Sequence, residues 1–325
     1  MSAKIVAAGP IAPPTREILG ELGEIVVAPS GDEETLLPLL ADAVALIARG
    51  DTRVSARLID AAPALRVIGR SGVGFDAIDL EAAGRRRIPV VITPNANAQA
   101  VAEGALAMLL CLAKDLRGLD ALVREGRWGE RDRADVRDLE GATLGIVGLG
   151  RIGRRLAELA RPFGMHVLGY DPYVDKLDGV GLVGLGTLFA ESDYVSLHAP
   201  LTPATRGMVD AELLALAGPG AILVNLARGG LVRSLDDLLG ALDSGALAAV
   251  GLDVFDPEPP DLSHPLFRHP RVLVSPHAIG MTRLSRHRIF EEMSLGMAAV
   301  LRGGRAESIA NPEIYSEPPE PEEAA

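Results

Sequence analysis

The chain is short of cysteine, of basic charge and of long apolar runs. Its one cysteine, Cys111, stands in the apolar stretch AMLLCLA. A single thiol closes no disulfide within the chain and builds no cysteine-rich metal site, and its setting reads as a small buried hydrophobe. No metal is expected. No apolar run reaches the ~18 residues that cross a bilayer as a helix. The opening MSAKIVAAGP carries one lysine and a short strand-like run, without the layout of a signal peptide. The expectation is a reducing, cytoplasmic setting with no membrane partner. Lys and Arg total 32 against 44 Asp and Glu, for a net charge of -12. That balance works against non-specific binding to nucleic acid or an anionic lipid surface.

What is present is enough chain for two cores: 325 residues, 48% of them apolar. Residues 4–8, 24–28, 44–48, 66–70 and 89–93 read as short strands, with helical patterns between them at 15–22, 33–40 and 55–61. Strands alternating with helices predict a parallel sheet covered on both faces. A long helical pattern, rich in Ala, Leu and Met, runs from 98 to 116. Gly104 inside it costs about 1 kcal/mol relative to alanine, so a packing reason for it is expected. The α/β rhythm then repeats, with strands at 143–147, 166–170, 194–198, 221–225, 249–253 and 272–275. A last long helical pattern covers 283–301, with Ile289, Met293, Met297 and Val300 on one face. The tail SEPPEPEEAA is acidic and Pro-rich, and reads as disordered or loosely attached.

Within the second set, LGIV enters the turn Gly148-Leu149-Gly150-Arg151-Ile152-Gly153, and a helical pattern leaves it. A further apolar run ends at Asp171. This is the layout of a dinucleotide-binding βαβ unit. Gly148 permits the tight turn, Gly150 lets the backbone approach a pyrophosphate, and Gly153 lets the helix pack on the strand. The helix start offers N–H groups and a positive dipole end to the phosphates. Asp171 can accept from the adenine ribose hydroxyls and repels a 2′-phosphate, so NAD is expected rather than NADP. More than a hundred residues precede this unit, and the final helical pattern has room to return to them. The fold class expected is α/β: a Rossmann-type doubly wound parallel sheet (99–283) inserted into a second α/β domain (1–98 plus 284–325).

Three motifs follow the glycine turn, each placing a charged or titratable group just past a strand: NLARGG (225–230), GLDVFDPEP (251–259) and SPHAIG (275–280). With GRSGVGFDAID (69–79), VGLGRIG (147–153), SLHAPLTPATRG (196–207) and LRGGRAESIANP (301–312), they resemble the NAD-dependent D-2-hydroxyacid dehydrogenases, most of all the shorter phosphoglycerate dehydrogenase-like members. The likeness runs over nearly the whole chain. It implies a flavodoxin-like substrate domain and substrate binding in a cleft between the domains.

The same resemblance implies the site. Arg228 binds the carboxylate and carbonyl oxygen of a 2-keto acid, for which a guanidinium offers paired donors. His277 exchanges the proton, as an imidazole can near neutrality. Glu258 holds the imidazole and favours its charged form. Gly148, Gly150, Arg151, Ile152, Gly153, Asp171, His198, Ala227, Asp253 and Gly280 line the cofactor. His198 could equally be structural. Backbone N–H groups at Gly72 and Val73 receive the substrate carboxylate, and Asn97 lies near it. Arg49 and Arg70, where phosphoglycerate dehydrogenases face a phosphate, are candidates for that contact.

Two departures stand out. Ile279 and Met281 replace small residues after the catalytic histidine, which makes that corner bulkier and weakens the case for 3-phosphoglycerate over hydroxypyruvate, glyoxylate or another keto acid. Arg233 places a positive charge at a helix start that Ser234 can still cap. A homodimer through the nucleotide domain and the Trp128 loop is also implied. A reading from another class is an NAD(H)-sensing binding protein like the related co-repressors.

Overall fold

In the computed structural model, residues 3–50, 52–72 and 74–316 are described. Val73 and residues 317–325 lie outside them. The chain divides into two compact units: Met1–Asn97 with Thr282–Ala325, and Ala98–Met281.

The first unit carries strands β1 (Lys4–Ala7), β2 (Glu24–Val27), β3 (Ala43–Ala48), β4 (Val67–Arg70) and β5 (Val90–Val91), with helices α1 (Pro13–Leu19), α2 (Glu33–Leu40), α3 (Ala56–Asp60) and α4 (Leu80–Arg85) between them. All neighbours pair parallel in the order β2-β1-β3-β4-β5, the flavodoxin-like order. Alternate residues feed opposite faces. Val6, Leu46 and Ile68 pack with Leu36, Leu40 and Leu58 on one side. Ile5, Ala45, Ile47 and Val67 pack on the other with Leu19, Phe290, Met293 and Met297. The last three belong to the helix Arg283–Leu301, so the returning segment covers a face that the N-terminal segment leaves bare. Asp32, Ser55, Asp79 and Thr282 each accept a backbone N–H at their helix start, which removes one of the orphan donors there.

The second unit opens with α5 (Ala98–Ala113) and α6 (Leu116–Arg124). Seven parallel strands follow: β6 (Thr143–Val147), β7 (His166–Tyr170), β8 (Gly181–Leu182), β9 (Tyr194–Leu197), β10 (Ala221–Asn225), β11 (Leu247–Leu252) and β12 (Val272–Val274). Helices α7 (Arg151–Ala160), α8 (Leu185–Glu191), α9 (Ala211–Leu214) and α10 (Leu235–Asp243) cover the sheet, and α11 is the helix Arg283–Leu301 of the first unit. The order is β12-β11-β10-β9-β6-β7-β8. The chain winds one way from β6 to β8 and the other way from β9, so β6 and β9 flank the switch point where open α/β sheets bind ligands.

Three readings change. The helical pattern 98–116 is not continuous. α5 ends at Ala113, and Asp115 takes a left-handed conformation, with φ of 43°, where its carboxylate accepts from Gly118 N–H (3.3 Å) and starts α6. Aspartate tolerates that region better than most residues. The two-residue edge strand β8 is too short to leave a periodic signature. Cys111 is partly buried rather than enclosed, and burial still pushes its thiol up. At α10, Ser234 accepts from Asp237 N–H (3.1 Å), and the Arg233 charge is met by a two-pronged contact to Asp237 (2.9 and 3.0 Å).

Candidate active site

The glycine turn sits at the switch point. Gly148 has φ of 95°, and a Cβ there would fall 2.6 Å from Ala199 N and 2.7 Å from His198 C, so no side chain fits between the ends of β6 and β9. A Cβ on Gly153 would fall 2.1 Å from Gly148 O, which is how closely α7 approaches the turn. At Gly150 nothing lies within 4 Å of that position. Gly150 is also the N-cap of α7 and supplies no side-chain cap, so the first N–H groups, those of Arg151 and Ile152 among them, have no side-chain acceptor at the cap. Asp171 stands at the end of β7. Leu149 N–H donates to its Oδ2 (2.8 Å) and Tyr173 N–H to its Oδ1 (2.9 Å). The carboxylate is thereby fixed against the turn with acceptor capacity to spare.

His198 follows β9 directly, its N–H donating to Val147 O (2.7 Å). Its Nε2 meets Ser196 Oγ at 2.8 Å, while Nδ1 is buried without a hydrogen-bond partner. Burial pushes the imidazole down to about 4. The ring is therefore neutral at physiological pH. Whichever of Ser196 Oγ and Nε2 donates in that contact, Nδ1 is a buried polar atom still to be satisfied.

Arg228 is carried by a turn after β10. The buried Asn225 holds it from within: Nδ2 donates to Arg228 O (2.9 Å) and Oδ1 accepts from Ala227 N–H (3.0 Å). Arg228 Nη1 donates to Ala227 O (2.7 Å). The sequence marks Asn225 only as a neighbour of Arg228, although a polar residue closing an apolar strand was the available signal. After β11, Phe255 N–H donates to Glu258 Oε1 (2.9 Å), and the other oxygen, Oε2, accepts from His277 Nδ1 at 2.8 Å. Glu258 thus has one oxygen on the backbone and one on the imidazole. Both side chains are part-exposed, at 38% and 49%. With Nδ1 committed, Nε2 is the nitrogen left for proton exchange.

His277 itself has φ of 52°. Histidine is among the non-glycine residues that enter this region, but surroundings must hold it there. Asp253, 4% exposed, does part of that. Its Oδ1 accepts from Ser275 Oγ, from Ala278 N–H (3.0 Å) and from Ile279 N–H (3.4 Å). The sequence places Asp253 beside the cofactor; the structure adds a grip on the histidine loop. Gly280 faces α5, where a Cβ would fall 2.5 Å from Val101 Cγ2.

In the first unit, Arg70 is only 9% exposed. Its Nε donates to Gly74 O (2.6 Å), Nη2 to Gly50 O (3.0 Å) and Nη1 to Arg49 O. Three of its N–H groups thus go to carbonyls and tie two loops together. Arg49 donates to Pro10 O and lies 5.4 Å over the Phe290 ring. Gly72 N–H donates to Arg70 O (2.8 Å). Asn97 Oδ1 and, unread in the sequence, Thr93 Oγ1 are buried without hydrogen-bond partners. Ile279, expected to crowd the substrate corner, packs instead against α5 at Gly104.

The family model described as "D-isomer specific 2-hydroxyacid dehydrogenase, NAD binding domain" matches residues 106–278. The chain belongs to the D-isomer specific 2-hydroxyacid dehydrogenase family. Among individual proteins, the D-3-phosphoglycerate dehydrogenase of Methanocaldococcus jannaschii is 39% identical over 313 residues, or 95% of this chain and 59% of that protein. The chain thus spans about three-fifths of the length of that curated relative. A solved protein of Thermus thermophilus superposes with a TM-score of 0.88 at 35% identity, covering 94% of this chain and 99% of the other. The D-lactate dehydrogenase of Aquifex aeolicus, solved with NAD and lactic acid, gives 0.83 at 30% identity over 92% and 96%. The open Gly148–Gly153 turn, the fixed Asp171 and the unpartnered His198 Nδ1 fit the NAD that the matched domain binds.

Proposed function

We propose that the protein is an NAD(H)-dependent D-2-hydroxyacid dehydrogenase that interconverts a 2-hydroxy acid and its 2-keto acid. The observation that carries this reading is the Glu258–His277 pair at 2.8 Å, held on strand-end loops of the same unit as Arg228 and the Gly148 turn. When bound, NAD supplies or receives the hydride at C2. Arg228 pairs with the substrate carboxylate and draws charge from the carbonyl oxygen. His277 Nε2 gives that oxygen its proton during reduction and takes it back during oxidation. Glu258 keeps Nδ1 engaged, so the ring cannot turn away from its task. Asp171 selects NAD by rejecting a 2′-phosphate. The relative named as a D-3-phosphoglycerate dehydrogenase makes 3-phosphohydroxypyruvate the first substrate to test, beside hydroxypyruvate, glyoxylate and pyruvate. A phosphate contact by Arg49 or Arg70 belongs to the same proposal and is tested by the same panel.

The test is NADH oxidation across that panel. Turnover should require a 2-keto acid. His277→Asn should lower kcat by at least ~100-fold, the lower end for a lost general acid–base, while NADH still quenches or shifts the emission of Trp128. Undiminished turnover in that variant would overturn the assignment. NADH binding without turnover on any keto acid would favour a sensing role instead.

We also propose a homodimer. α6 buries none of its residues, and Leu116, Val123, Trp128 and Val136 are more than half exposed. A second copy presenting the same face would cover both patches at once, as a two-fold interface does. Light scattering should give twice the chain mass, and Trp128→Glu with Val123→Asp should give a folded monomer. A monomeric wild type refutes it. Among the described residues no helix is long and apolar enough to cross a membrane, and a cytoplasmic location is proposed.

A further inference from the structure

Two oddities of the sequence meet in space. Gly104 sits inside α5, where its backbone freedom costs helix stability, and Ile279 puts a branched side chain two residues after His277. A Cβ on Gly104 would fall 3.0 Å from both Cγ1 and Cγ2 of Ile279 and 3.3 Å from Cδ1. One residue further along the loop the relation reverses: Val101 of α5 stands where a Cβ of Gly280 would be, 2.5 Å from Cγ2. Val101 and Gly104 lie three apart and so share a face of the helix. A knob of the loop enters a hole of the helix, and a knob of the helix enters a hole of the loop. From the other side, Asp253 Oδ1 takes the N–H groups of Ala278 and Ile279. The residue just before this doubly gripped stretch is His277, in its left-handed conformation.

We infer that Gly104 and Ile279 are a matched pair of positioning residues, which lock the histidine loop onto α5 and so aim the imidazole. The inference rests on the dehydrogenase reading only for its kinetic consequence. Ile279 has few rotamers open to it, so a methyl at position 104 displaces the loop rather than the side-chain tip. Helix propensity alone makes Gly104→Ala favourable, so a role confined to the helix leaves catalysis unchanged or improved. A positioning role does the opposite.

The experiment uses Gly104→Ala, Ile279→Ala and the double variant. Gly104→Ala should lower kcat about 10-fold, in keeping with the sensitivity of catalysis to sub-ångström misplacement, with NADH affinity unchanged. The double variant should recover most of the loss and exceed the product of the two single effects. Independently of turnover, the imidazole NMR signal of His277, assigned through His277→Asn, should move in Gly104→Ala and return towards its wild-type position in the double variant, while that of His198 stays put. An unmoved His277 signal in Gly104→Ala overturns the inference even if the protein proves inactive on every keto acid. So does a double variant no better than the product of the singles. A wild type that turns over no keto acid, with the NMR pattern as stated, overturns only the dehydrogenase reading.

Discussion

Replacing His198 by asparagine tests the claim that this ring is buried neutral. In the folded chain the imidazole is held down to about 4 by burial, against an ordinary value of 6.5. Below pH 6.5 the unfolded chain takes up a proton that the folded chain refuses, so this residue's contribution to stability is complete above 6.5. It drains away as pH falls towards 4. At 1.36 kcal/mol for each pH unit separating the two values, the loss is about 2 kcal/mol at pH 5 and about 3 kcal/mol at its limit. His198→Asn removes the titration. It also removes the contact with Ser196 Oγ, but that loss is a constant offset and does not bend with pH. Urea denaturation of both proteins at pH 8, 7, 6, 5 and 4.5 separates the two effects. Far-UV circular dichroism follows the whole chain, and Trp128, the only tryptophan, reports on the second unit alone. The wild type should lose its advantage steadily below pH 6.5. Curves that stay parallel from pH 8 to 4.5 refute the argument, because every other titrating group is common to both proteins.

Two more substitutions probe the site. Asp171→Ser keeps a hydrogen-bonding group but drops the charge that repels a 2′-phosphate. Affinity for NADPH should rise about 10-fold or more while affinity for NADH falls, which would count as one reversal of roughly 1.4 kcal/mol or more; unchanged preference in a binding titration would remove Asp171 from cofactor selection. Asp253→Ala leaves the N–H groups of Ala278 and Ile279 without their buried acceptor. At about 1–3 kcal/mol for each of the two groups left unsatisfied, it should destabilise the second unit by roughly 2–6 kcal/mol in urea titrations, and a loss under ~0.5 kcal/mol would show that the loop finds other partners.

Much of the fold is legible because its signals are local. The strands of the second sheet announce themselves as short apolar runs, and each chemical group follows one within three residues: Gly148 after β6, Asp171 after β7, His198 after β9, Arg228 after β10. The break at Asp115 is not legible, since aspartate inside a helical pattern carries no mark of a left-handed backbone. The fate of Arg70 is also hidden. Sequence shows an arginine at a strand end, but the carbonyls of Arg49, Gly50 and Gly74 that absorb it converge only after folding. Gly104 is a halfway case. Its helix-breaking cost signals that something needs the space, while Ile279, far along the chain, can be named only from the structure.

The split of the first unit into Met1–Asn97 and Thr282–Ala325 has a consequence for the order in which the protein can be completed during synthesis. When residue 97 leaves the ribosome, all five strands of the first sheet exist, yet Ile5, Ala45, Ile47 and Val67 have no Phe290, Met293 or Met297 to cover them. The whole second unit must be made before that helix arrives. The inserted unit, continuous in sequence, can close its own cores first. Met1–Asn97 is thus made before the inserted unit but finished after it, and one face of its sheet stays uncovered for the whole interval.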